Sequence, residues 1–329
     1  MKQTIKFCAK NILAPVFRHL PNKNRSVILM FHGFTDRVHE GCENSQHKHL
    51  HVIKFEAFLK HLKKHYQIIS LSQLVHCLEH QLAIPERTVV LTFDDGFFSN
   101  YRLAFPLLKQ FEAPATVYLA TEFVDEGKSI WTDRIDYAFY TAGKTHAELR
   151  KTKAELKKLP QEQIEPAVQA LESALGIQAL DGSTQPPDSI YAPLHWKQVK
   201  EMHASGLITF GAHTHTHKIM GRCSEETVRH ELCLSKRLIE EHLGRQCEHF
   251  CYPNGSHGDF SDFTEHCIRK LGFKSSVTTL NGRINEGNDG FLLPRLGITN
   301  DLDLTRFELI VSGFTAWLDN QRHNLRLHS

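Results

Sequence analysis

The stretch "TVVLTFDDGFF", residues 88–98, runs six strand-like residues directly into two adjacent aspartates and a glycine. A short apolar run of this kind predicts a strand buried in a parallel sheet. The carboxyl ends of such strands carry the functional side chains of α/β folds, so Asp94 and Asp95 are expected at an active-site edge. Two neighbouring carboxylates repel each other and raise one pKa, unless a bound cation removes the repulsion.

The rest of the chain alternates short apolar runs with segments of helical periodicity. The predicted strands are 27–31, 67–71, 88–93, 115–120, 207–212, 249–253, 274–279 and 291–298. The predicted helices between them are 55–66, 100–111, 225–243 and 262–272. This alternation predicts a parallel sheet, and about eight repeats favour a distorted (β/α)7-8 barrel over an open sheet. The charged segment 141–190 interrupts the pattern and is interpreted as a helical insertion that ends in a loop.

The composition is that of a soluble globular protein. The 329 residues are 41% hydrophobic and 23% charged, which suits one large domain with an insertion. Lys and Arg (39) nearly balance Asp and Glu (37), so nucleic acid is not expected as a partner. The eight cysteines form no CxxC pair and are interpreted as mostly reduced thiols.

The chain is divided into three parts on sequence grounds. Residues 1–25 combine apolar and basic side chains and predict an amphipathic helix, either at a membrane surface or packed on the domain. Residues 26–310 form the predicted main domain, and residues 311–329 form a tail. Because no apolar segment is long enough for a secretory signal or a membrane span, a cytoplasmic location is expected, with contact at the inner membrane surface as an extension.

The segment "GAHTHTHKIM", residues 211–220, carries three histidines at alternate positions. Where a strand ends in a turn, His213 and His217 can face one point while His215 points elsewhere. Two imidazoles, a carboxylate from Asp94 or Asp95 and an open position for water form a recurring hydrolytic metal site. The alternative is a solvated histidine-rich loop.

The segments "TFDDG" (92–96) and "HTHTH" (213–217) resemble, in this order, the first two motifs of the polysaccharide deacetylases. These are the NodB-homology or carbohydrate esterase family 4 proteins. Further stretches resemble one bacterial branch of the family and lie at 100–121, 131–138, 196–217 and 235–256. The resemblance covers roughly residues 26–300, apart from most of the insertion, and implies the barrel fold of that family.

The resemblance implies a role for each motif residue. Asp94 would be the general base that activates water, and Asp95, His213 and His217 would hold one divalent metal, with zinc as the default. The third family motif usually reads Arg-x-Pro-Tyr. This chain has Cys251, Tyr252, Pro253 and Asn254 at those positions, so the proline is kept and the arginine and final tyrosine are replaced. The backbone N–H of Asn254, in a segment shared with Tyr252, can still stabilise an oxyanion. The missing arginine leaves two substitutes open, Arg295 and Arg134.

The last family motif, a histidine on a C-terminal strand, has no counterpart after residue 300. Some family members carry this strand at the N-terminus, and "VILMFHGF" (27–34) resembles that permuted version. His32 is therefore the candidate acid that protonates the departing amine, against the alternative of a buried strand-end histidine. Three residues are expected to line the cleft: Asp36, Asp133 and Trp131. The tryptophan would stack on a sugar ring there; the alternative is that it packs in the hydrophobic core.

Together these features predict a metal-dependent hydrolase that removes N-acetyl groups from amino sugars of a polysaccharide or glycan precursor. The expected partner is therefore an N-acetylated glycan. Two alternatives stay open: a deformylase or amidase acting on a lipid-linked sugar or small amide, and an inactive glycan-binding relative that has lost the third-motif arginine.

Overall fold

The computed structural model describes residues 26–314. The predicted N-terminal helix, its membrane contact and most of the predicted tail lie outside these residues. Within them, no helix has the length and apolarity needed to cross a bilayer. The seven cysteines in the described residues are all free thiols.

Eight parallel strands form one sheet: β1 (Val27–Phe31), β4 (Gln67–Ile68), β5 (Thr88–Phe93), β6 (Ala115–Leu119), β7 (Ile208–Ala212), β8 (His249–Cys251), β9 (Ser275–Val277) and β10 (Leu296–Gly297). Their order in the sheet is β10-β1-β5-β6-β7-β8-β9, with β4 also paired to β5. A separate two-stranded sheet contains β2 (Phe34–Thr35) and β3 (Leu50–His51). A parallel bridge from Val277 to Leu293 joins β9 to the segment before β10, so the sheet curls towards closure. The predicted distorted barrel of parallel strands is confirmed.

The central strands are apolar along their whole length because both of their faces are covered. All six residues of β5 and all five of β6 are buried. Alternate residues enter different cores: Leu91 joins the larger core, which also takes in residues of the surrounding helices, while Val90 packs with Tyr118 and Val277 in a smaller one. Because successive side chains of a strand point to opposite faces of the sheet, each strand contributes to both cores.

The helices include the four predicted segments and several that the sequence patterns missed. Their bounds are Val52–His65, Leu71–Glu79, Phe105–Gln110, Thr121–Glu126, Trp131–Thr141, His146–Leu156, Gln161–Leu175, Trp196–Ala204, Glu225–Leu243, Asp262–Lys270 and Leu304–Ser312. The predicted 100–111 helix begins with a π-helical turn, Asn100–Ala104. The last helix extends past residue 310, and Val311 and Phe314 are buried beyond that position.

The insertion packs on the barrel rather than projecting from it. Its helices, His146–Leu156 and Gln161–Leu175, share an apolar cluster with the helix Trp131–Thr141. A buried ion pair reinforces this packing, because Lys153 Nζ lies 2.5 Å from Asp136 Oδ1. The two side chains expose only 8% and 1% of their surface. Lys153 therefore fixes the insertion against the barrel.

We expect Lys153→Met to lower the free energy of unfolding by about 3 kcal/mol, since it leaves the buried Asp136 carboxylate without its partner. Urea denaturation followed by circular dichroism measures the loss. Lys151→Met, at an exposed position of the same helix, is the matched control. The double variant Asp136→Leu/Lys153→Met should regain most of the stability, and equal stability of the two single lysine variants would contradict the assignment.

Candidate active site

Asp94 stands at the end of β5 in a buried ion pair with Arg295. Both guanidinium Nη atoms donate to the carboxylate, Nη1 to Oδ1 and Nη2 to Oδ2, each at 2.7 Å. Burial by itself would raise the pKa of Asp94, but the charge and hydrogen bonds of Arg295 outweigh it and hold this pKa below its usual range. Arg295 is fully buried, so the pair keeps Asp94 ionised and fixed in one orientation.

Asp95, the next residue, turns towards the two histidines of the 213–217 segment. Its Oδ1 lies 3.5 Å from His213 Nε2 and 3.4 Å from His217 Nε2. His213 Nδ1 bonds to the carbonyl oxygen of Cys251 at 2.8 Å, which directs its Nε2 towards Asp95. His215 instead bonds to Thr121 Oγ1 through Nδ1 at 2.9 Å, as the turn geometry had predicted.

The backbone at these residues is left-handed, a conformation that few residues other than glycine adopt. The φ angles are +76° at Asp95, +55° at His217 and +61° at Asn254. The turn at Asp95 separates its side chain from that of Asp94, so that each carboxylate meets a different partner. Such strained positions persist only where the surrounding structure fixes them, and they cluster at functional sites.

Three groups of side chains among residues 26–314 bring potential metal-ligand atoms close together. They are Asp95 with His213 and His217, Asp94 with His213 and Cys251, and Glu122 with Glu126 and His215. In the second group both oxygens of Asp94 accept from Arg295, and in the third Lys128 pairs with both glutamates.

The first group differs because Asp95 Oδ1 is buried and accepts no hydrogen bond. A carboxylate oxygen facing two imidazole nitrogens is a ligand set that suits zinc. These three residues are therefore the group that fits a divalent metal.

The third-motif segment follows β8. The N–H of Asn254 donates to no acceptor within residues 26–314, and Asn254 borders the same cavity as Asp94 and Asp95. Tyr252 also borders this cavity, but its hydroxyl donates to the carbonyl oxygen of Phe291 at 3.4 Å. Asn254 thus offers a free backbone donor, whereas the Tyr252 hydroxyl is engaged elsewhere.

An arginine from a different segment of the chain contacts Asp94 in place of the missing one. Arg295, which comes just before β10, reaches Asp94, and Cys251 occupies the sequence position of the family arginine. Cys251 Sγ lies 3.1 Å from Arg295 Nη2 and 3.6 Å from Asp94 Oδ2. Arg134, the other candidate, pairs with Glu165 and Glu172. Of the two substitutes left open, Arg295 therefore contacts Asp94 and Arg134 does not.

His32 follows β1 and borders the cavity with both aspartates. Asn100, in the π-helical turn, donates to the carbonyl oxygen of His32 at 2.7 Å. Burial lowers the pKa of His32, and the nearby charges of Asp95 and Asp94 only partly oppose this. A lowered pKa makes the protonated imidazole a stronger acid.

The cavity encloses about 300 Å³ and is lined by Trp131, as predicted. Asp133 is instead buried beside it in an ion pair with Lys48. Asp36 pairs with Arg102 at 2.8 Å, with almost half of its own side chain exposed. Of the three residues expected to line the cleft, only Trp131 does so.

The sequence patterns missed a set of charged residues around this cavity. Lys48, Asp136, Lys153 and Lys157 all line it. Three of them belong to charged helical segments, where the residue types resemble those of any solvated helix face. No signal in the sequence separated them from their exposed neighbours.

Comparison with known proteins identifies the family of this chain. The polysaccharide deacetylase model matches residues 83–276. The poly-beta-1,6-N-acetyl-D-glucosamine N-deacetylase of Staphylococcus aureus is 21% identical over 258 residues, which cover 75% of this chain and 67% of that protein.

Two solved structures share the fold. The deacetylase PplD of Streptococcus pyogenes, in complex with acetate, aligns with a TM-score of 0.61 at 21% identity, covering 87% of this chain and 97% of that one. IcaB from Ammonifex degensii aligns with a TM-score of 0.59 at 20% identity, covering 87% and 96%. Since the family model spans more than half of the residues, this chain belongs to the polysaccharide deacetylase family.

Proposed function

We propose that the protein is a metal-dependent deacetylase that removes N-acetyl groups from amino sugars of a polysaccharide or glycan precursor. One observation carries the proposal: Asp94, paired with Arg295, lies next to the Asp95, His213 and His217 group in a single cavity. This arrangement supplies a fixed base beside a site for a divalent metal. The Staphylococcus aureus relative, whose name specifies N-deacetylation of a glucosamine polymer, supports the substrate class.

The proposed chemistry begins at the metal group. Asp95, His213 and His217 would hold zinc, which when bound lowers the pKa of water and polarises a carbonyl. Asp94 takes a proton from the attacking water, and Arg295 keeps its carboxylate ionised and aimed. The free N–H of Asn254 is the backbone donor for the oxyanion that forms on the acetyl carbonyl.

His32 completes the reaction by protonating the amide nitrogen, so that the C–N bond breaks and the amine leaves. The hydroxyl from water stays on the acetyl carbon, and acetate is the second product. The carbonyl contact from Asn100 holds the backbone of His32, and Trp131 gives the cavity an aromatic wall that suits a sugar ring.

An inactive, glycan-binding protein was the alternative suggested by the missing arginine. The bidentate pair between Arg295 and Asp94 supports the active enzyme over that alternative. A deformylase with the same machinery differs only in the acid it releases.

We expect the purified protein to bind one equivalent of zinc, measured by elemental analysis after metal removal and reloading. Asp95→Asn and His217→Gln should weaken binding by more than the roughly 10- to 100-fold typical of outer-shell substitutions, because each removes a direct ligand. His215→Gln is the matched control in the same segment and should keep the metal. Full metal content in all three variants would place the metal elsewhere.

Metal-loaded protein should release acetate from N-acetylglucosamine oligomers, and a chelator should stop it. Asp94→Asn and His32→Gln should each lower kcat by roughly 10²- to 10⁴-fold, the usual contribution of a general base or acid. Both variants should retain zinc, which separates lost proton transfer from a lost metal. Measuring formate beside acetate on N-formylated oligomers distinguishes the deformylase, and no release of either acid would refute the proposal.

Arg295→Met should move the acid limb of the kcat/KM profile to higher pH. In the native protein Arg295 holds the pKa of Asp94 below its usual range, so the base stays ionised down to low pH. Without the guanidinium, burial dominates and raises this pKa. On acidification the variant therefore loses activity at a higher pH than the native protein does. The double variant Cys251→Arg/Arg295→Met returns arginine to its family position and should shift the limb back, whereas an unmoved limb in Arg295→Met would exclude this role.

A further inference from the structure

The lysine and arginine side chains at the cavity are paired with carboxylates, with one exception. Lys48 pairs with Asp133, and Lys153 pairs with Asp136 at 2.5 Å. Arg295 neutralises Asp94 in the same way. Lys157, which also lines the cavity, forms no ion pair with any carboxylate of residues 26–314.

Lys157 is held in place by neutral and indirect contacts. It follows directly on the insertion helix His146–Leu156, and its Nζ donates to Asn254 Oδ1 at 2.5 Å. Asn254 in turn donates through Nδ2 to Asp259 Oδ2 at 2.5 Å, which fixes its amide so that the oxygen faces Lys157. Asp259 also accepts from the N–H of Ser256 at 2.9 Å, so this carboxylate is already engaged.

An ammonium group carries three N–H donors, and this network uses one of them. The side chain is half-buried, and burial together with the nearby Lys153 lowers the pKa of Lys157, which the charges of Asp259 and Asp136 only partly oppose. A half-buried cation with unused donors, and with no carboxylate in an ion pair with it, is stabilised by an anion that enters the cavity. Divalent metal on Asp95 would add positive charge to the same space.

We propose that Lys157 binds an anionic group, a phosphate or a carboxylate, carried by the sugar whose N-acetyl group is removed. This inference rests on the proposed deacetylase function and narrows its substrate to acidic or phosphorylated glycans and glycan precursors. Lys157 touches the side chain of Asn254, whose backbone N–H is assigned to the oxyanion, so the anion site and the reaction site share one residue. The insertion, through this residue, sets substrate specificity.

The test compares neutral and anionic substrates on the metal-loaded full chain. Tri-N-acetylglucosamine is assayed against the same trimer bearing a 6-phosphate or a 6-O-carboxymethyl group. The native protein should favour an anionic trimer in kcat/KM, and Lys157→Gln should reduce that preference by about tenfold, the value of one charged hydrogen bond. The change should lie mainly in KM, Lys157→Arg should retain the preference, and Lys158→Gln, at the exposed neighbour, should leave it unchanged.

A binding experiment separates this inference from the proposed function. Calorimetry measures glucosamine, glucosamine 6-phosphate and 6-O-carboxymethylglucosamine on the native protein and on Lys157→Gln. If no trimer is hydrolysed but the preference for an anionic sugar is lost in Lys157→Gln, the deacetylase proposal fails and the anion site stands. An equal affinity for neutral and anionic sugars, or a preference that survives Lys157→Gln, overturns the anion site whatever the activity. The stronger of the two anionic probes identifies phosphate or carboxylate as the natural group.

Discussion

The site depends on the bidentate ion pair between Asp94 and Arg295. Two adjacent carboxylates at the end of a buried strand would repel each other, and burial would push at least one towards its neutral form. The structure separates them: Asp94 meets a guanidinium on one side, and Asp95, through its left-handed backbone, meets two imidazoles on the other. Each carboxylate then has its own partners, which allows neighbours in sequence to take different chemical roles.

The barrel supplies the rigidity that this separation needs. Asp94, His213 and the segment from Tyr252 to Asn254 all follow the carboxyl ends of parallel strands of one sheet, which is packed on both faces. Cys251 links the two halves of the site, because its carbonyl orients His213 while its thiol contacts Arg295. Packing of the strands therefore fixes Asp94 and the group of Asp95, His213 and His217 together.

The insertion closes the other side of the cavity. The buried pair between Lys153 and Asp136 fixes its first helix to the barrel, and Lys157, just past that helix, then reaches Asn254. A buried ion pair is weak evidence for stability by itself, but it is costly to break, so it specifies one position for the insertion. The proposed substrate preference follows from where this helix is placed, rather than from the catalytic motifs.

The sequence determined the parallel fold and the identity of the motif residues, because both signals are local. Apolar runs and their spacing predicted all eight strands of the main sheet, and the motifs placed Asp94, Asp95, His213 and His217 at strand ends. The choice between Arg295 and Arg134 was not decidable in this way, since Arg295 and Asp94 are 201 residues apart and only the curl of the sheet brings them together. The same holds for Lys157 and Asn254, which are 97 residues apart. It also holds for Asp36 and Asp133, which were expected to line the cleft but pair with Arg102 and Lys48. Long-range pairing of charges depends on the packing of whole elements, and only the tertiary structure decided it.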